Sequence, residues 1–236
     1  MVRDMIELLR QRRSIRSFTT EQIAPESLEL LIEAALRAPS SRGINPWEFI
    51  LVDDPALIDQ LATAKTHGSG FLKGAPLAIV VCADSSKSDV WVEDCAIAAI
   101  IIQMTALSLG LGSCWAQIRN RQHDDRQTAE IYLQELLGLP EEIKVACILG
   151  IGHPAEEKSP VPADNLQRSK IKRNRWSSKM EDNPLFYLQF LEPEIHGMRA
   201  RDPVGFQPGE LRHHLWQGMK TGDGKKTVYG EIRSRA

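Results

Sequence analysis

The amino-acid sequence predicts a sandwich in which helices cover a sheet of buried strands, in the α/β or α+β class. Three observations carry that expectation. Leu77 to Ala83 (LAIVVCA) and Val145 to Gly152 (VACILGIG) are continuous apolar runs, as strands covered on both faces require. Residues 92–109 are apolar nearly all round, the pattern of a helix buried at the centre of a fold. Helical and strand-like segments alternate as far as about residue 152, so the helices can cover the sheet that the strands build.

The elements follow in order. Residues 2–12 place Val2, Met5, Ile6 and Leu9 at helical spacing, and Arg12-Arg13-Ser14-Ile15-Arg16-Ser17-Phe18 falls where that helix ends. Pro25 opens a second helix, because the first helical position needs no amide donor; Leu28, Leu31, Ile32 and Ala35 form its inner stripe. It stops near Ala38, before Pro39, and delivers a loop, Ala38-Pro39-Ser40-Ser41-Arg42-Gly43-Ile44-Asn45-Pro46-Trp47. Glu48 to Asp53 is strand-like, and Asp54-Pro55 starts a third helix carrying Leu57, Ile58 and Leu61. Ser113 to Ile118 reads as a short strand, and residues 126–137 as a helix closed by Gly138 and Pro140.

Gly110-Leu111-Gly112-Ser113 lacks the third glycine of a dinucleotide fingerprint. It also follows a helix, whereas the fingerprint follows a strand and opens a helix, so a Rossmann assignment is rejected. The segment fits a tight helix-to-strand turn at which backbone can approach a flat ligand, and Gly150-Ile151-Gly152 reads similarly.

After His153-Pro154 the character changes. Residues 155–164 are charged and proline-bearing, and Gln167 to Lys179 holds six basic residues and no acidic one. Such a run is either a solvated face or a second contribution to binding phosphate or a partner. The expected organisation is a main domain over residues 1–176 and a C-terminal extension over 177–236 that packs on the main domain or on a partner subunit. Its aromatic residues Phe186, Tyr187, Phe190 and Trp216 suit a structural arm or a substrate lid.

A net charge of −2 argues against a general nucleic-acid binder. The start, Met1-Val2-Arg3-Asp4, has no apolar signal core, and the run Cys95 to Ile102 is too short to span a bilayer. Cys82, Cys95, Cys114 and Cys147 each lie in an apolar stretch without zinc or CxxC spacing, as expected of reduced thiols in a cytoplasmic protein. His213-His214 is adjacent, so the rings diverge on a helix and make a poor metal site; no metal is expected.

No nucleophile elbow, HExxH or P-loop occurs, which leaves a bound cofactor as the source of any reactivity. Three guanidinium groups and two hydroxyls within RRSIRS suit a phosphate or another planar anion, although basic residues at a helix C-terminus also serve the helix dipole. A Ser/Asn/Gly loop closing on Trp47 suits the polar edge of a ring or an ordinary surface turn.

Taken in order, RRSIRSF, APSSRGINPWEF, APLAIVVCAD, the VEDCAIAAIIIQMTA helix leading into GLGSCW, and LGIGHPAEE resemble the nitroreductase family of flavin-dependent oxidoreductases. The resemblance covers about residues 3–176, through RSKIKRNRW. It implies an α+β fold, an α-β-α sandwich with a central, mainly antiparallel sheet covered by helices. It also implies a homodimer with FMN bound in the subunit interface and NADH or NADPH as reductant. The implied function is ping-pong hydride transfer through FMN N5 to a small electron-poor acceptor, nitroaromatic or quinone-like. The alternatives are a flavin-binding or partner-docking protein without turnover, and ene reduction, dehalogenation or dehydrogenation on the same scaffold.

By position, Arg12, Arg13, Ser14 and Arg16 resemble the residues that grip the FMN phosphate, ribityl chain and pyrimidine edge. Pro39, Ser40 and Ser41, with Asn45 close by, resemble the loop contributed by the partner subunit. Cys114 and Trp115 follow the turn along the cofactor, and Gly150 and Gly152 resemble the strand end near the phosphate. Two departures stand out. Thr66 to Phe71 occupies the stretch where many members place an asparagine against the flavin, and the late Lys/Arg pair of larger members has no clear counterpart beyond Lys172 or Arg173.

Overall fold

The computed structural model describes residues 4–176. The expectations for the C-terminal arm, its aromatic residues and His213-His214 lie outside the described residues. Local capping chemistry sets most helix boundaries. Helix α1 (Met5–Gln11) begins where the Asp4 carboxylate accepts the Ile6 amide, and α2 (Pro25–Leu36) begins on its proline. Helix α3 (Pro55–Ala62) starts where the Asp54 carboxylate accepts the Ala56 amide at 3.0 Å. Helix α5 (Ala129–Leu137) is capped by the Thr128 hydroxyl and ended by Gly138 in the left-handed region, φ 66°.

That last helix starts three residues later than its sequence pattern suggests. The Asp124 carboxylate accepts the amides of Arg126 at 2.7 Å and Gln127 at 2.9 Å, a local turn that competes with helix until Thr128. Those amides hold the Asp124 carboxyl below the usual aspartate range.

Strands β1 (Trp47–Val52), β2 (Leu77–Asp84), β3 (Gly112–Gln117) and β4 (Ile143–Gly152) form one sheet in the order β1-β2-β4-β3, with every neighbouring pair antiparallel. The two long apolar runs are its central strands. Alternation along β2 sends Leu77, Ile79, Val81 and Ala83 into a core shared with α2 and α4 (Trp91–Ser108), and Ala78, Val80 and Cys82 into one shared with α3 and α5. The result is an α-β-α sandwich of the α+β class. A bulge opposite Val81 and Cys82 sends both Ala146 and Cys147 of β4 into the α2/α4 core.

Two helices depart from the burial that their sequence suggests. In α4, Asp94, Cys95, Ala98, Ala99, Ile102, Gln103 and Ala106 are buried, but Ile97 and Ile100 stay 39% and 41% exposed. Helix α1 packs on α4 through Leu8, whereas Met5, Ile6 and Leu9, which share its apolar spacing, are at least half exposed. Helical spacing identifies a face that needs cover without saying what covers it. Helix α4 is long and apolar enough to cross a membrane. It packs instead on β2, β3 and β4, and it buries a carboxylate and an amide.

The chain divides into a compact unit that ends at Pro162 and a second that begins at Ala163. In the described part of the second, Lys172 donates to the Ser169 carbonyl at 2.7 Å and lies 5.9 Å from the Trp176 ring centroid.

All four cysteines are free and buried. Burial first, and neighbouring groups second, push Cys82 and Cys95 up to about 12 and hold Cys147 well above the ordinary thiol value. Since the thiolate is the reactive species, native protein at pH 8 should leave an aromatic disulfide reagent essentially unreacted, while denatured protein titrates four thiols. Fast reaction of several thiols in folded protein would contradict this packing.

Candidate cofactor site

The RRSIRSF segment is held to the sheet at both ends. Leaving α1, the Arg12 amide still donates to the Leu8 carbonyl at 2.9 Å. Ser14 then bridges Ser113 in parallel, with the Ile15 amide donating to the Ser113 carbonyl at 3.0 Å, so the segment extends the edge at β3. Phe18 bridges Pro154, and the Thr19 and Ala155 amides donate to the His153 and Ser17 carbonyls, both at 2.9 Å.

Side-chain-free backbone makes this close approach possible. A Cβ on Gly112 would lie 2.8 Å from Ile15, and one on Gly152 would lie 2.5 Å from the Pro76 ring and 3.2 Å from Phe18. A Cβ on Gly150 would meet Leu72 and Phe71 at 2.9 Å. The space over Gly150 and Gly152 is therefore filled by protein, and their structural role is to seat the segment and the 70–76 turn.

At the start of β3 the charges converge. Burial raises the Cys114 thiol, opposed first by the positive charges of Arg16 and Lys158 and last by the neighbouring Ser14 side chain. Lys65 is also close enough to feel Cys114. Its ammonium is held below the usual lysine range by burial first and by Arg121 second. Arg12 and Arg16 form no ion pair among the described residues. Arg13 donates one guanidinium N–H to the Ser159 carbonyl. Trp115, next along β3, points to the opposite face, packs against the α2/α4 core and donates its indole N–H to Gln117 at 3.0 Å.

The Ser-Ser loop is built separately. Pro39 is exposed. The Ser40 hydroxyl donates to Asn45 Oδ1 at 2.7 Å and accepts the Asn45 amide at 2.8 Å. Arg42, Gly43 and Asn45 all take positive φ, so the loop is wound tightly on itself. The buried Asp94 carboxylate anchors it to the first turn of α4, accepting the Ser41 amide at 2.8 Å and the Ser88 hydroxyl at 3.3 Å. Trp47 Nε1 is buried without a partner among the described residues.

Gln103, further along α4, donates to the Ser113 hydroxyl at 3.3 Å beside Ser14. Asp94 and Gln103 are separated by about 14 Å of helical rise. Within this chain, then, Ser14, Arg16 and Cys114 lie together at the start of β3, and Ser40, Ser41 and Asn45 are anchored at the first turn of α4.

The nitroreductase family model matches residues 9–67 and 59–153, which is more than half of the chain. The chain belongs to the nitroreductase family. A protein of Archaeoglobus fulgidus, provisionally named NADH dehydrogenase/NAD(P)H nitroreductase, is 38% identical over 178 residues, covering 73% of this chain and 99% of that protein. The structure of an FMN-dependent nitroreductase from Clostridium difficile aligns with a TM-score of 0.72 at 46% identity, covering 72% of this chain and 99% of that one. An NADPH:FMN oxidoreductase from Vibrio harveyi shares the fold at 24% identity, with a TM-score of 0.61 over 91% of this chain.

Within this nitroreductase-family chain, four residues near the two expected segments escaped the sequence reading. Lys65, Asp94, Glu156 and Lys158 carry no motif of their own. Asp94 alone left a trace, as an acidic residue in the first turn of an otherwise apolar helix. The Thr66 to Phe71 stretch is used structurally: the buried Ser69 hydroxyl donates to the Ala62 carbonyl at 2.8 Å, and Phe71 packs over Gly150.

Proposed function

We propose that this protein is a homodimeric FMN-dependent NAD(P)H oxidoreductase acting on small electron-poor acceptors. The observation that carries the reading is the set of cations, Arg16, Lys158 and Lys65, around Ser14 and Cys114 beside β3, with Arg12 unpaired at the head of the same segment. This donor set fits FMN. A dianionic phosphate suits guanidinium groups that have no protein carboxylate of their own, and a nearby cation favours the charge that a reduced flavin carries. FMN held by these residues would supply hydride-transfer chemistry between NAD(P)H and a nitroaromatic or quinone-like acceptor, in ping-pong order.

The chain's own residues bind and orient. Arg12, with Arg16, holds the phosphate end, and Ser14 offers a hydroxyl to the edge of the ring system. Cys114, kept protonated by burial, lines the site without adding negative charge. The exposed apolar residues of α1 and α4, which pack together, suit a second copy of the chain; Ile97 and Ile100 would otherwise face water. The Ser40–Ser41 loop then serves the FMN held by the partner. A division at 176/177 leaves the C-terminal extension to pack on the main domain or the dimer. Four free thiols fit a cytoplasmic location.

The deciding experiment is an absorbance spectrum of fresh protein before and after anaerobic NADH or NADPH. A yellow protein that either nucleotide bleaches, and that an electron-poor acceptor re-oxidises, is the expected result. Yellow protein that neither nucleotide bleaches would be a flavin-binding module, and colourless protein that takes up no FMN would end the cofactor reading.

A further inference from the structure

The segment after β4 crosses the outside of RRSIRSF and grips its backbone. One oxygen of Glu156, Oε1, accepts the Arg16 amide, the Ser17 amide at 3.3 Å and the Lys158 ammonium at 2.9 Å. Lys158 also donates to the Ser14 carbonyl at 2.7 Å. Arg13 reaches the Ser159 carbonyl, so residues 156–159 engage four of the five residues from Arg13 to Ser17. Both Glu156 and Lys158 side chains are about a quarter exposed, so water competes only in part for these bonds. The donated amides, that of Arg16 foremost, hold the Glu156 carboxyl below the usual glutamate range.

This arrangement has a direction. The Ile15 amide is spent on Ser113, and the amides of Arg16 and Ser17 are spent on Glu156. The segment is thereby pinned between a sheet edge and a carboxylate, with its backbone donors consumed. Ser14 and the positive charge of Arg16 both act on the Cys114 thiol, lowering it against the effect of burial. Without the clasp, two successive amides, a carbonyl and an ammonium would each need water, and the segment would be fixed only at Ser14–Ile15 and at Ser17–Thr19. Fixing the binding groups before the ligand arrives removes an ordering cost from binding.

We infer that Glu156, through Lys158 and the backbone of residues 14–17, is a positioning residue that sets FMN affinity without touching FMN. This inference rests on the FMN reading above. Its test is FMN titration of apo-protein, followed by quenching of flavin fluorescence, together with thermal unfolding of the apo-form. Glu156→Ala should weaken FMN binding by about tenfold, as loss of hydrogen bonds to a charged group does. Glu156→Gln, which keeps an acceptor but loses the charge facing Lys158, should fall between the two.

The effect should also shrink in an Arg16→Ala background, because the bond to the residue 16 amide survives but one of the binding side chains that it positions is gone; a purely structural role would give additive losses. Apo-protein melting is expected to stay within a few degrees of wild type for Glu156→Gln. Wild-type affinity in both Glu156 variants overturns the clasp while leaving the cofactor reading intact. Wild-type protein that binds no FMN overturns both.

Discussion

Arg12→Ala protein is expected to fold normally and to purify with little or no bound FMN. The two halves of this expectation have separate causes. The Arg12 contribution to folding is its backbone amide, which donates to the Leu8 carbonyl as the last bond of α1 and survives the substitution. Its guanidinium is half-buried and pairs with no carboxylate among the described residues, so truncation leaves no buried anion uncompensated. The ligand, by contrast, loses a planar two-pronged donor from its most highly charged group. A hydrogen bond to a charged group is worth about 1.5–3 kcal/mol, or roughly 10–150-fold in Kd. The measurements are flavin content on purification, Kd of the apo-protein for FMN, and apo-protein melting. Full occupancy in the variant, or a melting loss equal to the loss in affinity, would remove Arg12 from the phosphate site.

The contrast with Arg13 shows what could be read from the sequence and what could not. RRSIRS suits an anion by residue type, and its place in the family pattern is readable from the string. Nothing in the string separates Arg12, whose guanidinium is uncommitted, from Arg13, which donates to the Ser159 carbonyl far along the chain. The clasp is equally silent. Glu156 and Lys158 lie in a charged, proline-bearing stretch that reads as an excursion, and their partners are backbone groups, which leave no signature in side-chain identity.

The central strands were legible because continuous apolar β-branched runs have few other uses. The outer face of α4 was misjudged for a related reason, and α1 shows the same feature. Apolar periodicity reports that a face is to be covered, and Met5, Ile6, Leu9, Ile97 and Ile100 meet that condition without being covered by the described residues. The glycines of GLGS and LGIG were recognised as places of close approach. In the Cβ direction Gly112, Gly150 and Gly152 meet Ile15, Phe71, Leu72, Pro76 and Phe18, whereas Gly110 meets nothing within 4 Å.

Gly152→Ala should consequently be the most damaging small substitution in the described chain, and it should damage stability and FMN binding together. The added methyl would sit 2.5 Å from Pro76 Cδ and 2.9 Å from its Cγ, against a ring that cannot rotate away. On the other side it meets Phe18 Cβ at 3.2 Å, the bulkiest anchor of the RRSIRSF segment. Strand β4 cannot slide to relieve the clash, because it is paired on both edges, with Ile151 opposite both Leu77 and Ser113. Something must yield, and the least constrained neighbour is the segment that ends at Phe18.

Overpacking of this kind costs about 1–3 kcal/mol, occasionally more. For a chain of this size that lowers the melting temperature by roughly 2–12 °C. Because Phe18 and Arg16 lie on one short stretch, FMN affinity should fall with it, unlike Arg12→Ala, in which affinity alone is lost. Gly74→Ala is the matched control: its Cβ meets nothing within 4 Å and its backbone is not in the left-handed region, so melting should scarcely change. If Gly152→Ala melts with Gly74→Ala and wild type, the contact between the strand end and the cofactor-binding segment is looser than described, and Phe18 is not the anchor that fixes Arg16.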